Sequence, residues 1–215
     1  MKHSTPLVIL WGVMNCRLSD LAPLMWMSGI FLIELNRRKN RLERTQLILY
    51  GLMIVYTVVL AFCISRMLFH SDWALFHFER FSPTRVPDLS EQAVRLSTHP
   101  LVFWPVKDSS RYSFPGDHST VLLVVGGMLM FHTNPLNKIL AGGGMLFFIL
   151  PRLAGGAHWL SDIIVGGAPI AAMSLTLMYC TPLQSYLARK SEKLSGWILD
   201  KIPQRLLRQC PGRLG

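Results

Sequence analysis

The sequence predicts an all-α fold, a polytopic bundle of membrane-crossing helices, and three observations carry that prediction. Of 215 residues, 51% are hydrophobic and only 16% charged, against roughly 25% charged in an average soluble domain. The apolar residues are gathered in long blocks, and mean hydropathy is +0.35, the pattern of helices that face lipid. The basic residues lie between alternate blocks rather than within them. A disordered chain is excluded, because it would be poor in apolar residues and rich in charge. The net charge of +10 and the pI of about 9.9 then mark topology and contact with anionic lipid, not a nucleic-acid surface.

Five spans are expected. The first runs from Leu21 to Leu35, closed by Glu34 and a basic stretch. The second, Gln46 to Ser65, is uncharged over twenty positions, enough to cross ~30 Å of hydrocarbon at ~1.5 Å per residue. The third begins near His118 and ends at Phe131; the fourth is Ile139 to Pro151. Both are short and should extend into neighbouring polar residues. The fifth, Leu160 to Cys180, holds Asp162 as its single charge. Arg37, Arg38, Lys39, Arg41 and Arg44 separate spans one and two, Lys138 separates three and four, and Arg189, Lys190, Lys193, Lys201, Arg205, Arg208 and Arg213 follow span five. Five alternating spans put all three regions on one side, which the positive-inside rule makes cytoplasmic. Segments 66–117 and 152–159 then face outward.

Residues 6–14 are too short to span. They read either as an interfacial helix on the outer side or as a sign that the true start lies upstream, which would make six spans. Asn15, Cys16 and Arg17 stand where a signal peptide would need small residues. The stretch from Gln184 to Gln209 mixes Leu, Ile and Trp197 with basic residues and reads as an amphipathic helix on the inner surface, broken at Pro203; a solvated basic tail is the plainer alternative. The expected organisation is a membrane-embedded domain over 1–183 and a basic amphipathic cytoplasmic tail over 184–215. Cys16, Cys63, Cys180 and Cys210 form no CxxC pair, so neither a zinc site nor a redox motif is expected.

The chemistry-bearing residues gather in the two outward segments. One contains Lys107-Asp-Ser-Ser-Arg111-Tyr-Ser-Phe-Pro115-Gly116-Asp117-His118; the other contains Arg152 and His158-Trp-Leu-Ser-Asp162. Ionisable residues at membrane ends are often snorkelling anchors, and Arg152 alone reads that way. Asp162 does not, since an acid opening an apolar span needs a partner and a task. His158 and Asp162 stand four apart, so both can lie on one helix face. A carboxylate that accepts from one imidazole nitrogen leaves the other as nucleophile or base. His70, His77, His99 and His132 lack motif context and read as structural or interfacial. Trp73, Trp104 and Trp159 suit an aromatic belt. The glycines at 126–127, 142–144, 155–156 and 166–167 suit close helix packing, and Gly155 and Gly156 would also free the loop that carries His158.

Arg152-x5-His158-x3-Asp162 resembles the third signature of the type 2 phosphatidic acid phosphatase superfamily, and Pro115-Gly116-Asp117-His118 resembles its second, Pro-Ser-Gly-His. Ser82-Pro83-Thr84, Lys107 to Arg111, Ser113 to His118, Gly156 to Trp159, Asp162 to Gly166 and Thr181-Pro-Leu183 are similar to its lipid A 1-diphosphate synthase branch. The first signature, Lys-x6-Arg-Pro, is altered: Arg80 precedes Phe81-Ser82-Pro83, and Trp73 stands where Lys is usual, with Arg85 a second candidate.

The resemblance implies a bundle of that superfamily's kind and a metal-independent, cofactor-free phosphotransferase of a bacterial inner membrane, its site facing the periplasm. A phosphoryl group would pass from undecaprenyl diphosphate to the 1-phosphate of lipid A through a phosphohistidine. The same site acting on water would make a lipid phosphate phosphatase. His158 would be the nucleophile, Asp162 its orienting carboxylate and His118 the general acid. Arg152, Lys107, Arg111 and Arg80 would hold phosphate oxygens, since phosphoryl transfer rests on positioning and on neutralising equatorial charge. Gly116 and Asp117 would add backbone amides at the start of span three. The Asp117 carboxylate is expected either to keep His118 protonated or to cap that helix.

Overall fold

The computed structural model describes residues 5–16, 21–70, 75, 80–86, 96–110 and 113–202. Seven α-helices are formed there: α1 Thr5–Met14, α2 Leu21–Arg37, α3 Arg41–Ser65, α4 Asp117–His132, α5 Pro135–Ala154, α6 Ala168–Cys180 and α7 Leu183–Lys201. No strand appears among the described residues; one isolated bridge joins Cys16 and Val106. The expected all-helical membrane architecture is present, with short turns joining α2 to α3 and α4 to α5.

Among the described residues, three helical stretches are long and apolar enough to cross a membrane: Arg41–Phe69, Pro135–Ala154 and Asp162–Cys180. The fourth expected span did extend into polar neighbours, starting at Pro135 where the Asn134 side chain accepts from the Asn137 amide at 3.1 Å. α2 and α4 hold 17 and 16 residues, about 25 Å at ~1.5 Å per residue, a little less than a ~30 Å core.

α4 sits at the centre and packs on α3, α5 and α6. Leu122, Leu129, Ala141 and Ile149 close the α2–α4–α5 side; Ala61, Val124, Ile170 and Ala171 close the α3–α4–α6 side. Outward positions are apolar as well: Leu24, Met25, Val55, Ile139, Leu146, Ile164 and Val165 all lie more than half exposed. A surface of that kind is stable against lipid, not water.

α7, expected as an amphipathic helix on the inner surface, packs along α3. Leu199 is buried in one cluster with Leu47, Tyr50 and Met53, joined by Leu187 and Ile198. Tyr56 and Ser191 share a hydroxyl bond of 3.0 Å. α3 continues into a π-helical stretch, Arg66–His70, so that one helical run of 29 residues extends from Arg41 to Phe69. That is about 43 Å, longer than a ~30 Å hydrocarbon core, and α7 lies along it from Arg41, paired with Asp200, to Tyr56. The helix ends at Lys201, as a proline at 203 requires; Pro203 and Cys210 lie outside the described residues.

Candidate active site

Three chain segments meet at the end of the bundle where α4 and α6 begin and α5 ends. Glycine makes the approach possible. A Cβ on Gly166 would fall 2.7 Å from the Pro115 Cα and carbonyl oxygen, and one on Gly167 3.0 Å from the Ser119 and Thr120 hydroxyls. Only bare backbone lets the π-helical stretch Asp162–Gly167 lie against the turn that launches α4. That turn has a cis Phe114–Pro115 bond and Gly116 at φ +80°, a left-handed conformation that glycine adopts freely. The Gly116 carbonyl accepts from Ser119 Oγ at 2.7 Å and Thr120 Oγ1 at 3.1 Å, so the first turn of α4, which bears His118, is tied to it.

His158 and Asp162 do meet, but not on a helix face. The chain leaves α5, turns at Gly156 with φ +69°, and becomes helical only at residue 160. His158 therefore precedes the helix. Asp162 reaches back to accept from the Trp159 amide at 2.8 Å, the carboxylate half of a capping box. The imidazole Nδ1 lies 2.7 Å from the Ser113 carbonyl oxygen and 3.8 Å from Asp162 Oδ2. A carbonyl only accepts, so Nδ1 carries a proton, and in the neutral ring Nε2 holds the lone pair. The hydrogen bond that fixes the tautomer comes from Ser113; the carboxylate stands just beyond hydrogen-bond reach.

Asp162 is fully buried, and its other oxygen accepts from Arg80 NH1 at 3.1 Å. The same nitrogen donates to Ser161 Oγ at 2.7 Å, and the guanidinium lies over the Trp159 ring with Cζ 4.9 Å from the centroid. Trp159 Nε1 donates to the Phe81 carbonyl at 2.8 Å. Trp159 thus supports Arg80 from the start of the last span. At 3.1 Å the gross attraction of the ion pair is about 5 kcal/mol at an effective dielectric of ~20. Desolvating the acid offsets most of that, so the pair positions Arg80 more than it stabilises the fold.

Arg152 does not snorkel. It is 5% exposed in the last turn of α5, with NH1 donating to the Lys107 carbonyl at 3.3 Å. Segments 80–84 and 107–113 are stitched by hydroxyls. The Ser82 amide donates to the Ser110 carbonyl at 3.1 Å, and Ser82 Oγ accepts from the Ser110 amide at 2.9 Å. Thr84 Oγ1 donates to the Asp108 carbonyl at 2.6 Å, and Ser113 Oγ to the Arg80 carbonyl at 3.1 Å. The conspicuous Ser82-Pro83-Thr84 run is scaffold for Arg80. Asp117 opens α4 with its carboxylate exposed, accepting from Ser65 Oγ on α3 at 3.3 Å. Gly116, without a side-chain cap bond, is the N-cap. Arg111, Trp73 and His77 lie outside the described residues.

The family model for the PAP2 superfamily matches residues 76–186. The chain belongs to the PAP2 superfamily. It is also similar to the lipid A 1-diphosphate synthase of Escherichia coli (strain K12), 30% identical over 181 residues, which is 83% of this chain and 70% of that one. No solved structure matches the chain. Membership supports a lipid phosphatase or phosphotransferase on a membrane-helical fold, and every residue expected in the site falls within the PAP2 match.

The PAP2 signatures left four residues of this site unmarked: Ser113, Trp159, Ser161 and Asn15. Asn15 is fully buried. Its Nδ2 donates to the Trp11 and Pro151 carbonyls at 3.0 and 2.8 Å, and its backbone carbonyl accepts from the Lys107 amide at 2.8 Å. The side chain of Asn15 thus holds the residue before Arg152, and its backbone holds the segment of Lys107. Gly155 is bare because a Cβ there would fall 2.8 Å from Asn15 Nδ2.

Proposed function

We propose that the protein transfers a phosphoryl group from undecaprenyl diphosphate to the 1-phosphate of lipid A, through a phosphohistidine on His158, at the periplasmic face of a bacterial inner membrane that it crosses five times. The observation that carries this reading is the His158 ring, with Nδ1 turned to the Ser113 carbonyl at 2.7 Å beside the Asp162–Arg80 pair. Nε2 is left as the nucleophile next to a fixed cation. Its lone pair attacks the terminal phosphorus of the donor while the bond to the bridging oxygen breaks, and undecaprenyl phosphate leaves, protonated by His118. An oxygen of the acceptor's 1-phosphate then attacks phosphorus, and the P–N electrons return to Nε2. Arg80, Arg152, Lys107 and Arg111 neutralise the equatorial oxygens in both steps.

The similarity to a lipid A 1-diphosphate synthase supports lipid A as acceptor, and the same chemistry with water would be hydrolysis. The basic residues of the α2–α3 turn and of α7 lie at the opposite end of the bundle from the site, which supports the outward orientation. The test supplies purified protein with undecaprenyl diphosphate and lipid A in detergent, without nucleotide. Lipid A gaining one phosphate, with little free phosphate, is expected. Free phosphate with unchanged lipid A would make the protein a phosphatase.

A further inference from the structure

The end of the bundle opposite the candidate active site holds a cavity of about 490 Å³. It lies between the last turn of α2, the first turn of α3 and the α4–α5 turn. Glu34 forms its inner wall. That carboxylate is 4% exposed and is fully used: Arg38 NH2 donates at 2.9 Å, Asn134 Nδ2 at 2.7 Å and Asn137 Nδ2 at 3.0 Å. Arg38 is spent on the same bond. Two opposite charges remain on the cavity lining, Arg37 and Glu43. Neither has an ion-pair partner among the described residues, and they do not pair with each other; the carboxylate of Glu43 meets only Asn40 Nδ2, at 3.5 Å.

One wall is rigid and aromatic. The His132 ring stacks on Tyr50 with centroids 3.8 Å apart, and Nδ1 lies 3.3 Å from the Tyr179 hydroxyl. Phe131, also on the lining, is 65% exposed, and Ile33, one turn before Arg37 on the same face of α2, is 47% exposed. The cavity lining thus carries a cation, an anion and the exposed ring of Phe131.

We infer that this cavity binds the headgroup of an aminophospholipid, with Arg37 on the phosphate and Glu43 on the primary ammonium, the acyl chains running past Phe131 and Ile33. A zwitterion with the two charges a few atoms apart satisfies both unpaired side chains at once. A headgroup of single negative charge leaves Glu43 facing it, and a quaternary ammonium has no N–H to give a carboxylate. The site does not depend on the reaction proposed above.

The test uses the full chain, purified in detergent, exchanged into an equimolar mixture of phosphatidylethanolamine, phosphatidylcholine and phosphatidylglycerol, and examined by native mass spectrometry. One phosphatidylethanolamine per chain is expected to be retained at least tenfold over either other lipid. Arg37→Ala and Glu43→Gln should each lower that retention tenfold or more, while Arg37→Lys, which keeps the charge, stays within threefold. Should Arg37→Ala not fold, Glu43→Gln carries the comparison. Equal retention of the three lipids, or unchanged retention in Glu43→Gln, overturns the assignment. So does binding of soluble phosphoethanolamine with no preference among the lipids, which would make the ligand a free metabolite.

Discussion

At the scale of residues, the site depends on a few polar contacts made by side chains far apart in sequence. Replacing His158 by Ala removes the proposed nucleophile and should lower turnover by about 10³-fold or more, as for other nucleophile deletions, with the far-ultraviolet circular dichroism unchanged. Asp162→Asn leaves Arg80 without its carboxylate partner, and breaking a buried pair of this kind costs about 3 kcal/mol. Both a lower thermal midpoint and a higher KM for the phosphate donor are expected, and a variant with normal midpoint and normal KM would contradict the geometry of Arg80. Asn15→Ala loses two buried side-chain bonds at 3.0 and 2.8 Å, about 2 kcal/mol together. It should weaken donor binding through Arg152, next to Pro151, read as a rise in KM larger than the fall in kcat. What sequence reasoning could reach here was set by local spacing. Arg152, His158 and Asp162 lie within eleven positions and were legible as a unit. Asn15 was not, because its partner Pro151 is 136 residues away and a lone Asn after a short helix has no pattern. Ser113 acts through a backbone carbonyl, which no side-chain identity announces. Trp159 was legible only as an aromatic near an interface, and its task appeared once Arg80 was found over its ring.

At the scale of elements, the decisive event is the crossing of the turn at 115–116 with the π-helical start of the last span. The sequence foretold helices at both places but not the change of pitch, which reflects how closely Gly166 and Gly167 let two backbones approach. Gly166→Ala places a methyl 2.7 Å from backbone atoms of Pro115, which cannot rotate away. Activity should fall at least tenfold while the helical content is retained. Gly143 gives the contrasting case. A Cβ there meets nothing within 4 Å, although the glycine run at 142–144 was expected to serve packing. Gly143→Ala should leave activity intact and stabilise α5 by roughly 0.5–1 kcal/mol, read as a raised thermal midpoint. The helix over 183–201 was foreseen as amphipathic, and its apolar side was real. Its docking on α3 was hidden because the partners, Arg41 with Asp200 and Tyr56 with Ser191, lie 159 and 135 residues apart.

At the scale of the whole molecule, the two ends of the bundle differ in kind. One end gathers His158, Asp162, Arg80 and Arg152; the other gathers the basic turn after α2, Lys138 and α7. The block arrangement of apolar residues made the membrane class legible from composition, and the charge asymmetry suggested the orientation. In a background with all four cysteines changed to serine, Ser109→Cys should react with an impermeant maleimide on intact spheroplasts. Lys39→Cys should react only after lysis. The reverse pattern would place the site inward and remove undecaprenyl diphosphate at the periplasmic face from consideration.

The central claim is that His158 itself carries the phosphoryl group between two lipids. The direct measurement is rapid acid-free quenching of the purified protein with undecaprenyl diphosphate labelled in its terminal phosphate. The account predicts label on the protein that is stable in alkali, labile in acid, mapped to His158 by peptide mass spectrometry, and transferred to lipid A when lipid A is added. Transfer of label to lipid A at the full rate by His158→Ala, with no labelled protein at any time, would contradict it.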